Sequence, residues 1–167
     1  MTDPDPLPGE VLELHRLLRV LRRTVAVAES LTGGLLAGAL TTPAGASEVV
    51  RGGLVVYATD LKATLAGVDP DLLARHGAVD PDVAAQLARG VRERLRADYG
   101  LGITGVAGPT EQDGRAVGTV FLAVAGPDGE LVAERTFGGD RAAIRAASVD
   151  AAVGLLIDVC RQALDPA

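Results

Sequence analysis

Short runs of small and β-branched apolar residues alternate along this chain with stretches of helical periodicity, and that alternation restricts it to a layered α/β architecture. Thr24–Ala28 (TVAVA), Gly52–Tyr57 (GGLVVY) and Tyr99–Thr104 read as strands, too apolar to leave either face in water. Thr119–Ala125 and Leu131–Phe137 read as two more, joined by a hairpin turn at Gly126-Pro127-Asp128-Gly129. Between them, Glu10–Arg23 carries Val11, Leu14, Leu17, Leu18 and Leu21 at helical spacing. A second helix is expected from about Gly34 to Leu40 and a short one after Asp60 as its cap. Asp69-Pro70 opens another short one, ending near His76-Gly77. Asp80-Pro81 starts one that runs to about Ala97, and Asp140 caps the last, over 141–164. The order α-β-α-β-α-α-α-β-β-β-α predicts a three-layer α/β/α domain, with a mixed sheet of five to six strands and helices on both faces. Functional loops are then expected at the C-terminal strand ends, here 29–34, 57–62 and 104–109.

A chain of 167 residues fits a single domain, expected over residues 10–167 behind a disordered tail at 1–9 that is rich in Pro and Asp. Hydrophobic residues make up 48% of it, but there is no Trp and only two Tyr and two Phe, so Ala, Val, Leu and Ile must fill the core. A formal net charge of -6 argues against a nucleic-acid partner, which would call for a basic stripe. It leaves room for a small anion held by a local pair of arginines. No apolar run reaches the roughly 20 residues of a membrane span, and no secretory signal opens the chain, so a cytoplasmic location is expected. The lone Cys160 fits a reducing compartment and reads as a buried small hydrophobe.

Four groups of residues carry the chemistry. Ser30 sits in Glu29-Ser30-Leu31-Thr32-Gly33-Gly34, between a strand and a helix. There, backbone N–H groups can meet an anion, and the glycines allow close approach; the same pattern also suits Ser30 or Thr32 as a simple helix cap. Lys62 is the only lysine beside fifteen arginines, and it is placed in the first turn of a helix, where a cation is disfavoured. Desolvated near Tyr57, it could serve as a general base; left in water, it is an ordinary surface charge. Arg141 and Arg145, four apart after Gly138-Gly139, share a helix face that suits a phosphate or carboxylate as well as it suits an acidic side chain. Thr104, Gly105 and Gly108 belong to a strand exit whose amides can line a ligand. His15 and His76 look unpaired and lie away from these loops, which argues against a histidine-based triad, and no Cys/His/Asp spacing suggests a metal.

Taken together, these segments resemble the C-terminal domain of the CinA competence/damage-inducible family. The resemblance runs through AESLTGG at 28–34, GGLVVYATDLKATLAGV at 52–68, HGAVD at 76–80, ITGVAGP at 103–109, VGTVFLA at 117–123 and GGDRAAIR at 138–145. It covers nearly all of the chain after about residue 10. Free-standing members of that family hydrolyse the carboxamide of nicotinamide mononucleotide to nicotinate mononucleotide and ammonia. The resemblance implies Ser30 as nucleophile, Lys62 as general base and Tyr57 as a supporting hydroxyl. It further implies Arg145, with Arg141 beside it, on the substrate phosphate, and a pocket lined by Thr32, Gly33, Gly34, Thr104, Gly105 and Gly108. It calls for no cofactor and no metal, for a small nucleotide as substrate, and for a homo-oligomer. Two departures stand out. Leu31 replaces a frequent Cys, and Thr110-Glu111-Gln112-Asp113-Gly114-Arg115-Ala116 replaces a loop that often begins Asp-Gly-Gly. That second change motivates an alternative, a non-catalytic nucleotide-binding or competence-related protein.

Overall fold

The computed structural model describes residues 9–166. The tail expected over 1–9 lies outside them except for Gly9, which begins the first helix. In chain order the elements are α1 (Gly9–Leu21), β1 (Val25–Glu29), α2 (Leu35–Thr41), β2 (Val50–Val55), α3 (Thr59–Thr64), α4 (Pro70–His76), α5 (Pro81–Arg94), β3 (Tyr99–Gly105), β4 (Thr119–Gly126), β5 (Gly129–Thr136) and α6 (Arg141–Leu164). One turn of 3-10 helix, Ala46–Glu48, precedes β2.

The five strands form one mixed sheet in the order β2-β1-β3-β4-β5. β1 is central and parallel to both β2 and β3, whereas β4 is antiparallel to β3 and to β5. The alternation of side chains along β1 sorts the core into two layers. Val25 and Val27 join Leu101, Ile103, α1, α2 and α6 on one face. Ala26 and Ala28 join α3, α4 and α5 on the other. On that second face β3 presents Gly100 and Gly102 ahead of Thr104. A Cβ on Gly100 would overlap the Ala88 carbonyl, and one on Gly102 the Ala84 carbonyl, so α5 lies directly on the strand backbone.

Helix starts follow the aspartates. Asp69 accepts from Asp71 N at 2.8 Å, Asp80 from Asp82 N at 2.8 Å and Asp140 from Ala143 N at 2.9 Å. Removing the last of these, as Asp140→Ala, is expected to cost about 1 kcal/mol, or roughly 2–4 °C of melting temperature in a domain of this size. A thermal melt checks it. Asp60 is not a cap, because α3 begins one residue earlier behind Ala58. Lys62 therefore stands at the fourth position of a six-residue helix, and its unfavourable meeting with the N-terminal dipole largely disappears. β2 also starts and stops two residues before the expected span, so Tyr57 lies in the loop beyond it. Neither histidine is unpaired. His15 is buried with Nε2 on the Leu40 carbonyl at 2.9 Å, and the exposed His76 faces Asp80 at 3.7 Å. Cys160 is fully buried, and burial pushes its thiol up to about 12.

Candidate active site

At the C-terminal end of the parallel strands, Glu29 of β1 stands level with Val55 of β2 and Ile103 of β3. Ser30 follows, and its N–H continues the ladder to the Ile103 carbonyl at 3.1 Å. Alternation past Ala26 and Ala28 carries its side chain to the face of α3 and α5. Thr104, two residues beyond Gly102, falls on the same face and gives its hydroxyl proton to the Ala78 carbonyl at 2.7 Å.

Lys62 reaches this region from α3. It is only 1% exposed, and its Nζ donates to the carbonyls of Val56 at 2.8 Å and Tyr57 at 3.1 Å. Val56 N donates to the Glu29 carbonyl at 2.8 Å, so the amine is anchored to the end of the strand next to the one that leads into Ser30. Loss of water lowers the Lys62 pKa from 10.5 to about 8, against the opposing pull of Asp113 and Asp60. The unfolded chain binds this proton more tightly, so the group's contribution to stability rises with pH between about 8 and 10.5.

The glycine loop is used differently from its expected role. Glu29 is wholly buried, and its carboxylate accepts from Gly34 N at 3.1 Å, Leu36 N at 3.0 Å and Ala37 N at 2.8 Å. Gly33 N is donated to the Ser30 carbonyl at 3.1 Å. The N-terminus of α2 is therefore filled by a side chain of this protein, and Gly33 and Gly34 have no amide to offer a ligand. Their glycines serve backbone geometry instead, at φ 56° and 104°. The N–H groups not spent on these bonds are those of Leu31 and Thr32.

A pocket of about 330 Å³ opens beside Ser30. Tyr57, Gly105, Ala107, Gly108, Glu111, Gln112 and Arg141 help to line it. Arg141 spans its mouth, donating to the Gly108 carbonyl at 2.8 Å and to the Tyr57 hydroxyl at 3.0 Å. Arg145, the partner named first for the phosphate, is turned the other way. Its guanidinium holds the Leu31 carbonyl at 2.9 Å and the Thr32 carbonyl at 3.2 Å, which fixes the loop after Ser30. Of the two arginines, Arg141 is the one that lines the pocket. Thr32 is fully buried, with a hydroxyl that has no hydrogen-bond partner among the described residues.

The structure thus gathers Ser30, Tyr57, Gly105, Gly108 and Arg141 around one opening, and packs Lys62 and Thr104 behind it. Glu29, Glu111, Gln112 and Asp113 were not singled out as site residues from the sequence. A larger cavity of about 580 Å³ lies at the opposite end of the sheet, between the β4–β5 turn and the end of α6. Its lining, which includes Tyr99, Asp128, Glu130, Leu131 and Gln162, shares no residue with the pocket beside Ser30. Among the described residues no three His, Cys, Asp or Glu side chains could hold a metal ion together, and no helix is long and apolar enough to cross a membrane.

The family model of the CinA C-terminal domain matches residues 11–160. A CinA-like protein of Frankia casuarinae is 51% identical over 152 residues, which is 91% of this chain and 34% of the relative. One from Anaeromyxobacter is 50% identical over 158 residues, 91% of this chain and 38% of the relative. The chain thus spans about a third of the length of these relatives. Among solved structures, competence/damage inducible protein CihA of Agrobacterium tumefaciens is 39% identical with a TM-score of 0.85, over 93% of this chain and 99% of that one. The competence-damaged protein (CinA) superfamily protein of Escherichia coli is 31% identical with a TM-score of 0.89, over 95% and 93%. By sequence along nearly its whole length and by fold, this chain belongs to the CinA family, matching its C-terminal domain.

Proposed function

We propose that this chain is a nicotinamide-nucleotide amidohydrolase that converts nicotinamide mononucleotide to nicotinate mononucleotide and ammonia with Ser30 and Lys62. The observation that carries this reading is the sole lysine of the chain, buried at the strand ends beside Ser30, with its pKa brought down to about 8. A neutral amine has two N–H bonds, and the Val56 and Tyr57 carbonyls accept two. Its lone pair is then left for the Ser30 proton.

In this mechanism Ser30 Oγ attacks the carboxamide carbon as Lys62 Nζ takes its proton. The carbonyl oxygen becomes an oxyanion within reach of the Leu31 and Thr32 N–H groups. The C–N bond then breaks, Lys62 returns the proton to the departing nitrogen, and ammonia leaves. Water, deprotonated by Lys62, attacks the Ser30 ester; the bond from the acyl carbon to Ser30 Oγ breaks, Lys62 returns its proton to Oγ, and the acid leaves as its carboxylate after losing its own proton to solvent. Arg141 at the pocket mouth is the phosphate partner, and no step needs a metal or an organic cofactor. A cytoplasmic, homo-oligomeric enzyme is part of the same proposal.

Because only the neutral amine accepts a proton, kcat/KM is expected to rise with pH and level off above about 8. Release of ammonia from nicotinamide mononucleotide, followed from pH 6 to pH 10 (roughly two units either side of that midpoint), tests the reading. Binding of the nucleotide without product would favour the non-catalytic alternative. A pH-independent rate would remove Lys62 as the base.

A further inference from the structure

Residues 110–116 fold as a miniature hairpin that walls the pocket beside Ser30. Gln112 and Arg115 form a bridge through two backbone bonds, Gln112 N to Arg115 O at 3.1 Å and Arg115 N to Gln112 O at 2.8 Å. Asp113 and Gly114 turn the corner with φ of 52° and 71°, the left-handed pair that a two-residue hairpin turn requires. Arg115 lies over the Phe121 ring at 5.2 Å, and Asp113 Oδ2 accepts from Ala78 N at 2.8 Å. One arm and the tip are thus both fastened to the body of the domain.

Thr110, Glu111 and Gln112 line the pocket together with Ser30. Thr110 carries no charge, and Gln112 turns its amide to Asp113 at 3.4 Å. Glu111 is left as the one acid in the lining, and Arg141 is the one cation. Opposite charges that share a pocket are expected to pair, yet among the described residues neither belongs to an ion pair. The hairpin fixes the backbone on one side. On the other, Arg141 is held by the Gly108 carbonyl and the Tyr57 hydroxyl, which leave its guanidinium with donors to spare. A ligand that fills the pocket and expels its water therefore meets an uncompensated carboxylate and an uncompensated guanidinium, and charge left that way is costly. The complement of such a lining is a molecule with a cationic part toward the hairpin and an anionic part at the mouth.

We infer that Glu111 is a specificity-determining residue, selecting a carboxamide carried on a positively charged ring, an N-substituted pyridinium, over the same nucleotide with a neutral ring. The carboxamide at Ser30 and the phosphate at Arg141 rest on the amidohydrolase reading; selection by ring charge goes beyond it. Reducing the ring to its dihydro form removes the charge and keeps the carboxamide, ribose and phosphate, so the two forms of nicotinamide mononucleotide isolate the effect.

Calorimetric titration of the Ser30→Ala protein with each form, at mildly alkaline pH and low salt, measures binding without hydrolysis. The oxidised form is expected to bind roughly fivefold more tightly than the dihydro form. With Glu111→Gln added, the two are expected to bind within a factor of about two, the loss falling on the oxidised form. With Arg141→Met added instead, both forms weaken alike and the preference remains. Equal affinity in the Ser30→Ala protein, or a preference that survives Glu111→Gln, overturns the inference, and ammonia release by wild type would leave the amidohydrolase reading standing without it. A preference that Glu111→Gln removes, in a protein whose wild type releases no ammonia, upholds the selection by charge and sinks the amidohydrolase reading instead. Failure of both forms to bind sinks the two together.

Discussion

Ser30→Ala is expected to reduce ammonia release from nicotinamide mononucleotide by at least about a thousandfold while leaving the melting temperature nearly unchanged. The two halves have separate causes. An amide is a poor electrophile, and without the hydroxyl only substrate binding and the oxyanion donors remain to speed attack by water. The contribution of Ser30 to the fold runs through its backbone: its N–H reaches the Ile103 carbonyl, and its carbonyl receives Gly33 N–H. Alanine keeps both bonds. Lys62→Met, which fills the same buried volume without an amine, is expected to be similarly inactive. Side-by-side ammonia assays and melts decide the matter. Retained turnover in the folded Ser30 variant would end the serine mechanism.

Gly100→Val is expected to destabilise the protein by about 3 kcal/mol or more, lowering the melting temperature by on the order of 10 °C. Strand preference alone argues the opposite, since valine suits a strand better than glycine. Contact with α5 reverses the sign. The added Cβ would overlap the Ala88 carbonyl and come within 2.7 Å of Arg92 Cβ, and backbone cannot yield as a side-chain tip can. Gly154→Ala provides the contrast. It lies in α6 with nothing within 4 Å of the new methyl, so the substitution is expected to stabilise by about 0.5–1 kcal/mol. Equal melting temperatures for Gly100→Val and the parent would refute this account of the α5–β3 contact.

The sequence by itself determined the elements and their order, because these depend on neighbours close along the chain. Apolar runs such as Thr24–Ala28, the caps Asp69, Asp80 and Asp140, and the turn at 126–129 are local signals, and each element lies within a few residues of its expected place. The meeting of the loops that carry Ser30 and Tyr57 was also legible, since parallel strands bring their C-terminal loops together, whereas Arg141, which follows an antiparallel strand, was read only as the second of two arginines for a phosphate. The Asp113-Gly114 pair was a readable hairpin signal, but the two-residue loop is flanked by polar arms rather than strands.

Tertiary structure alone decided how the hydrogen-bonding groups are spent. Glycines before a helix leave its N–H groups available, yet Glu29 takes those of Gly34, Leu36 and Ala37, because the strand end places a buried carboxylate against them. Two arginines four apart look interchangeable in sequence, yet one turns to the Leu31 and Thr32 carbonyls and the other to Tyr57 and the pocket. Lys62 could be read from the chain either as a base or as an ordinary surface charge, and only burial in the folded domain, which removes its water, rules out the second.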